Sequence, residues 1–298
     1  MKKFSISIFF FLCLFVIVDF LLGIGLDYFA SHAKTGQAYK NYEIAETAAP
    51  DILILGSSRA VHHYVPEKFE DSFGLSTYVA GQDGNGIILM NPIMHHISER
   101  HKPKIIIYDI TPIFDLYDDD PHTYLRYLRL LKGKSAYTDS LIHAIDPTET
   151  LKLHSRLFQY NSAPLSLVKC FFKKSKEFDH GYKPFFGSLN INTVPQLETS
   201  THPVSDLKLK LFKDMIKYCH DNNIKLYFTI SPSYNTAANA TYTERDSALS
   251  SMIDDLGITV LDYSNNPTFA NPKYFKDNDH LNNIGSEVFT DSIIGRLK

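Results

Sequence analysis

From Asp51 onward, short apolar runs alternate with amphipathic stretches. Five runs rich in Ile, Val, Tyr and Leu predict strands: Ile52 to Leu55, Thr77 to Ala80, Lys104 to Ile110, Ile224 to Ile230 and Ile258 to Leu261. Helical patterns lie between several of them, over Ile87 to Glu99, Asp206 to His220 and Thr243 to Leu256. A final helix follows Asn282 or Asn283, either of which can cap it. Phe289, Ile293 and Leu297, with Val288 beside them, give it a face to bury. Strands that are apolar on both faces and separated by helices predict a doubly wound α/β domain with a five-stranded parallel sheet. Such sheets carry their sites at the carboxyl ends of the strands.

Two stretches fall outside this alternation. Between Phe4 and Leu26 the only charge is Asp19, and a helix of that length crosses a bilayer core of roughly 30 Å. Lys2 and Lys3 on the short side favour that end in the cytoplasm, which places the rest of the chain outside at the cell membrane. A cleaved signal peptide is the rival reading, since Ser31-His32-Ala33 resembles a cleavage site; the long apolar core favours an uncleaved anchor. Asp19 sits at membrane depth and is assigned no role. The expected organisation is an anchor or signal segment over 1–30, a linker over 31–50, and an α/β domain over 51–298. That domain is interrupted at about 111–204 by a mostly helical insertion, too long for an ordinary connection, which reads either as a lid or substrate platform or as a structural cap.

Composition narrows the function classes. Thirty basic and thirty-three acidic residues leave a formal charge of -3, without the basic footprint that nucleic acid requires. Cys13, Cys170 and Cys219 are too few and scattered for a disulfide framework or a zinc site; Cys170 and Cys219 are the one pair that could bond. No dinucleotide or P-loop motif is present, so no cofactor is expected.

Candidate chemistry lies at the two ends of the α/β region. The first strand stops at Gly56-Ser57-Ser58-Arg59, where glycine permits a sharp turn. A serine at the start of the helix that follows projects from the sheet edge beside free backbone N–H groups. That is a place for a nucleophile, and equally for a helix N-cap. Asp277 lies three residues before His280, just ahead of the last helix. A tight turn lets the carboxylate hold the imidazole so that its other nitrogen can take a proton.

Taken together, these blocks resemble the SGNH (GDSL-like) hydrolase superfamily. Gly56-Ser57-Ser58 matches its Gly-x-Ser after the first strand, and Asp277-Asn278-Asp279-His280 its Asp-x-x-His before the last helix. The resemblance covers residues 51 to about 110 and 206 to 298, and implies a flavodoxin-like sheet. It implies a triad of Ser58, His280 and Asp277. It also implies an oxyanion hole from the Ser58 N–H and a glycine after the second strand; of Gly81, Gly84 and Gly86, alignment on the strand end points to Gly84. The family's Gly-x-Asn-Asp after the third strand is absent from Tyr108-Asp109-Ile110-Thr111-Pro112, and Asn85 is a substitute donor. Anchor, Gly-Ser-Ser and missing asparagine together resemble the extracytoplasmic, membrane-anchored branch that includes envelope-polymer acylation proteins. The activity implied is a serine esterase or O-acyltransferase on ester-linked acyl groups of envelope glycans. The partners implied are an acylated glycan or envelope polymer, the membrane through the N-terminal helix, and, for transfer, an acyl-donor membrane protein. The missing asparagine keeps a second reading open, a catalytically weak glycan-binding or assembly component of an envelope polysaccharide pathway.

Other polar residues have two readings each. Arg59 either binds an anionic substrate or pairs with a sheet-edge carboxylate, Asp109 or Asp115. Ser231 ends the fourth strand and could line the cleft, while Pro232 makes a turn the simpler explanation. Adjacent residues diverge, so His62-His63 and His95-His96 are not read as a metal site; one member of each pair with Asp118, Asp119 or Asp120 is the only zinc arrangement conceivable. Asp279 could compete with Asp277 for the histidine.

Overall fold

The computed structural model describes residues 2–161, 164–173, 176–190, 203–234 and 249–298. Strands β1 (Ile52–Gly56), β2 (Thr77–Val79), β3 (Ile105–Asp109), β4 (Lys225–Ile230) and β5 (Val260–Asp262) form one all-parallel sheet in the order β2-β1-β3-β4-β5. The order reverses between β1 and β3. In a doubly wound sheet that reversal opens a crevice beyond the carboxyl ends of those two strands.

Alternation along each strand loads both faces of the sheet. Ile52, Ile54 and Ile107 pack with Ala60, Tyr64, Phe69, Phe289 and Ile293 in one core. The last five come from α3 (Ser58–His63), from Tyr64 just after it, and from α4 (Pro66–Phe73) and α14 (Asn283–Leu297). Tyr108 meets Phe212 of α12 (Asp206–Asp221) edge-on and Phe228 packs tilted against the same ring, and α12 packs beside α5 (Ile87–Arg100). Helix α13 is described over 249–256; the rest of the Thr243 to Leu256 expectation lies outside the described residues. β5 starts two residues later than its apolar run, because Gly257 (φ +61°) follows α13 and the Ile258 N–H still bonds back to the Ile253 carbonyl.

The chain divides into two compact units. The α/β unit holds Ala48–Asp120 and Phe178–Lys298; the other holds Met1–Thr47 and Pro121–Glu177. Of the expected insertion, therefore, only Pro121–Glu177 belongs to the second unit. The short helix α6 (Pro112–Asp115) and residues 178–190 stay in the α/β unit. The second unit is helical: α1 (Lys2–Ser31), α2 (Gly36–Tyr42), α7 (His122–Leu128), α8 (Ala136–Ile145), α9 (Pro147–Lys152), α10 (Arg156–Gln159) and α11 (Pro164–Phe172). α1 is long and apolar enough to cross a membrane. Cys170 and Cys219 are not bonded: Cys219 is buried against Met94, and Cys170 sits against Gly36 in the second unit.

Two buried carboxyls stiffen the loops after β3. Asp109 accepts the Tyr64 hydroxyl at 2.6 Å and the Ser231 hydroxyl. Asp115 accepts the Tyr108 hydroxyl at 2.5 Å and the N–H groups of Thr111 and Ile87 at 2.7 and 2.8 Å. Burial pushes their pKa values up, to about 6 for Asp109 and about 7 for Asp115. A carboxyl that holds its proton more tightly when folded contributes stability that is complete below its unfolded pKa and is lost as pH rises through the folded value. Stability against urea should therefore decline between about pH 4 and pH 7 on account of these two groups. Asp109→Asn keeps an oxygen for Tyr64 and Ser231 and should flatten that decline below about pH 6; an unchanged slope would show that Asp109 is ionised throughout.

Candidate active site

β1 can turn at its end only because Gly56 has no side chain. Its φ is +139°, and a Cβ there would stand 2.6 Å from the Asp109 carbonyl oxygen and 3.1 Å from Ala60 Cβ. Gly56→Ala should cost about 2–4 kcal/mol and displace the following turn, measurable as a lowered urea midpoint together with loss of whatever activity the turn supports.

The turn sorts the two serines. Ser57 is the N-cap of α3, fully buried, its Oγ 2.7 Å from Thr111 Oγ1 and accepting the Arg59 N–H. Ser58 is the first residue of α3, and its Oγ lies 2.8 Å from His280 Nε2. First-turn N–H groups of a helix have no intrahelical acceptor, so the Ser58 N–H is available beside its own hydroxyl.

His280 arrives on a loop held from both sides. The Asn282 side chain caps α14 by accepting the N–H groups of Ile284 and Gly285, and donates to the Lys273 and Gly187 carbonyls. Leu281 is buried, and its N–H donates to His63 Nε2 at 3.0 Å. Asp277 Oδ1 accepts the N–H groups of Asp279 and His280, each at 2.9 Å, and lies 2.9 Å from His280 Nδ1. Burial raises the Asp277 pKa, but the hydrogen bonds from the His280 ring and from the two backbone N–H groups outweigh it, so the carboxyl titrates below its ordinary value. The arrangement is a hydroxyl, an imidazole and an ionised carboxylate in series, able to pass a proton to and from the hydroxyl.

Aromatic and imidazole rings wall the histidine. His62 stacks on Phe185 at 3.7 Å and donates through Nδ1 to the Lys183 carbonyl, while Phe185 meets His280 edge-on at 5.6 Å. His63 is fully buried; burial, with His280 and Arg59 nearby, pushes its pKa well below the ordinary value and keeps it a neutral acceptor for Leu281. Arg59 pairs with Asp279 at 3.2 Å rather than with Asp109 or Asp115. The pairing spans the two chain segments of the site and directs Asp279 away from the imidazole. Ser231 does not line the cleft: it is fully buried, and its hydroxyl donates to Asp109 Oδ2, the same oxygen that accepts the Tyr64 hydroxyl.

The glycine packed on the nucleophile turn is Gly81, whose Cβ position would be 2.9 Å from the Gly56 carbonyl oxygen and 3.2 Å from that of Ser57. Gly84 has φ +67°, and apart from its chain neighbours no atom of the described residues lies within 4 Å of its Cβ position. The Asn85 amide donates to the Asp83 carbonyl, and its oxygen is buried without a partner. Thr111 stands first after the residues predicted as the third strand, where the family pattern has its asparagine region, and its hydroxyl is committed to Ser57. Its place was readable from the end of that apolar run; nothing local singles out Phe185. His95 pairs with Asp214 and His96 with Arg100, and among the described residues no group of three or more His, Cys, Asp or Glu side chains is placed to hold a metal ion.

No protein-family model matches the chain, and no curated protein matches it. Among solved structures, an acetyl xylan esterase aligns over 83% of this chain and 100% of its own at 13% identity and a TM-score of 0.40. A candidate acylhydrolase from Bacteroides fragilis aligns over 88% of this chain and 97% of its own at 12% identity and a TM-score of 0.41. The sheet order is that of a doubly wound α/β fold, and the Gly-x-Ser turn and the Asp-x-x-His loop meet at one edge of it.

Proposed function

We propose that the chain is a membrane-anchored, extracytoplasmic serine esterase or O-acyltransferase acting on ester-linked acyl groups of envelope glycans. The observation that carries this reading is the 2.8 Å approach of Ser58 Oγ to His280 Nε2, with Asp277 on the far ring nitrogen. The Ser58 proton moves to His280 Nε2 as Oγ attacks the ester carbonyl, and Asp277 stabilises the imidazolium. Collapse of the tetrahedral adduct expels the glycan alkoxide, which takes the proton from His280 and leaves an acyl-serine. Water or a sugar hydroxyl then gives its proton to His280, attacks the acyl group and frees Ser58. The Ser58 N–H holds the developing oxyanion, and Gly81, set against the turn, supplies the second N–H. With transfer, the acyl group comes from a membrane-bound donor protein, whose own leaving group takes the proton from His280 in place of the glycan alkoxide, and the glycan hydroxyl then attacks the acyl-serine.

A fluorophosphonate probe applied to the full chain in detergent should modify Ser58 alone. The missing side-chain donor after β3 favours a second reading, a glycan-binding assembly component, because one such donor is worth about 10²–10³ in rate. An unlabelled protein that still binds acylated glycan would establish that second reading.

A further inference from the structure

We infer that helices α9, α10 and α11 form a collar that dips into the membrane leaflet on the domain side, around α1, with Leu151, Leu165 and Phe172 against lipid. The inference rests on reading α1 as a membrane span. From Phe4 to Ile24 the helix is sheathed in exposed apolar side chains. Those 21 positions cover about 31 Å at 1.5 Å per residue, the thickness of the hydrocarbon core.

Asp19 lies five residues inside that limit, about 7 Å below it. A carboxylate at such depth needs donors, and the collar provides them: the Ser155 hydroxyl at 2.5 Å and the N–H groups of Arg156 and Leu157 at 2.9 and 3.2 Å. Buried Gly23 makes room for this approach, since a Cβ there would stand 2.3 Å from Arg156 Cβ. Arg156 then runs along α1, its guanidinium over the Phe20 ring and 3.0 Å from Asp27. The start of α10 is therefore level with Asp19, inside the apolar zone. A depth of about 7 Å is within the 5–10 Å to which interfacial helices bury their apolar faces.

The flanking surface has the composition that depth requires. Leu151 of α9 and Leu165 and Phe172 of α11 are 74%, 76% and 70% exposed, on helices that follow or precede α10 closely and, for α11, pack on α1. Lys152 and Lys173 stand next to Leu151 and Phe172 in sequence and Lys169 lies between Leu165 and Phe172, all long enough to carry their charges to the headgroups. In water these three apolar side chains would be a continuation of the bare surface of α1; in a leaflet they are its continuation into lipid.

The natural chain has no tryptophan, so single substitutions report depth directly. The full chain would be reconstituted into phosphatidylcholine–phosphatidylglycerol vesicles brominated either near the headgroup or near the acyl chain ends. Phe11→Trp should be quenched best by the deep bromines. Leu165→Trp and Phe172→Trp, at exposed positions that do not bear on folding, should lose about half their emission or more to the shallow bromines and little to the deep ones. Quenching of Phe11→Trp with none at 165 and 172 would overturn the collar and leave the anchor standing. An unquenched Phe11→Trp would remove the anchor, and the collar with it.

Discussion

Ser58→Ala should lower hydrolysis of an acetyl reporter ester by at least about 10³-fold, approaching the roughly 10⁶-fold loss that follows removal of the nucleophile from a Ser-His-Asp triad. The size of the effect follows from the division of labour between the adjacent serines. Ser57 caps α3 and bonds to Thr111, so it carries the structural load of the turn. The Ser58 hydroxyl bonds only to His280 among the described residues. Its removal should change stability by no more than about 1 kcal/mol, because one partly exposed hydrogen bond is worth about that much. The variant therefore separates chemistry from folding. Ser57→Ala should do the reverse, destabilising the turn through the lost cap by about 1 kcal/mol while leaving the Ser58 hydroxyl to react. Turnover by Ser58→Ala within about tenfold of the natural chain would end the nucleophile assignment, whatever its melting temperature.

The strands were legible because each is a run of residues apolar on both faces, a pattern a parallel sheet covered by helices demands. The serine and histidine were legible because each lies beside an element boundary that the pattern marks, β1 on one side and α14 on the other. What the pattern could not mark was partnership across the fold. Arg59 and Ser231 were read by their place at strand ends, yet Arg59 found Asp279, 220 residues away, and Ser231 found Asp109, 122 residues away. Nothing within a window of a dozen residues encodes such pairs. The same holds for Pro121–Glu177: its helices read as an interruption of the α/β chain, and contacts such as the bonds from Ser155, Arg156 and Leu157 to Asp19 show what they are built around. A run of Gly81, Gly84 and Gly86 offers no local reason to set Gly81 against the nucleophile turn. Close approach to the Gly56 and Ser57 carbonyls is the reason, and it exists only once β2 lies against β1.

Asp277→Asn should cost about 10³–10⁴ in kcat with the fold intact. The carboxylate now accepts from the Asp279 and His280 N–H groups and from His280 Nδ1, so the imidazole carries its proton on Nδ1 and offers Nε2 as an acceptor to Ser58. An asparagine can keep its oxygen toward the two backbone N–H groups, which preserves the loop. Its amide then faces Nδ1 and donates to it, forcing the ring proton onto Nε2. That nitrogen can no longer take the Ser58 proton, and attack stalls at its first step. Because the Asp277 pKa is held low by its donors, the carboxylate of the natural chain is charged over the whole neutral range, a charge that the variant lacks at every pH. Asp279 is an acidic neighbour in sequence that could take over, but it is paired with Arg59. The double variant Asp277→Asn with Asp279→Asn should therefore be no slower than the single one. A single variant within tenfold of the natural chain would show that the imidazole is oriented by something other than Asp277; a double variant much slower than the single would name Asp279 as that group.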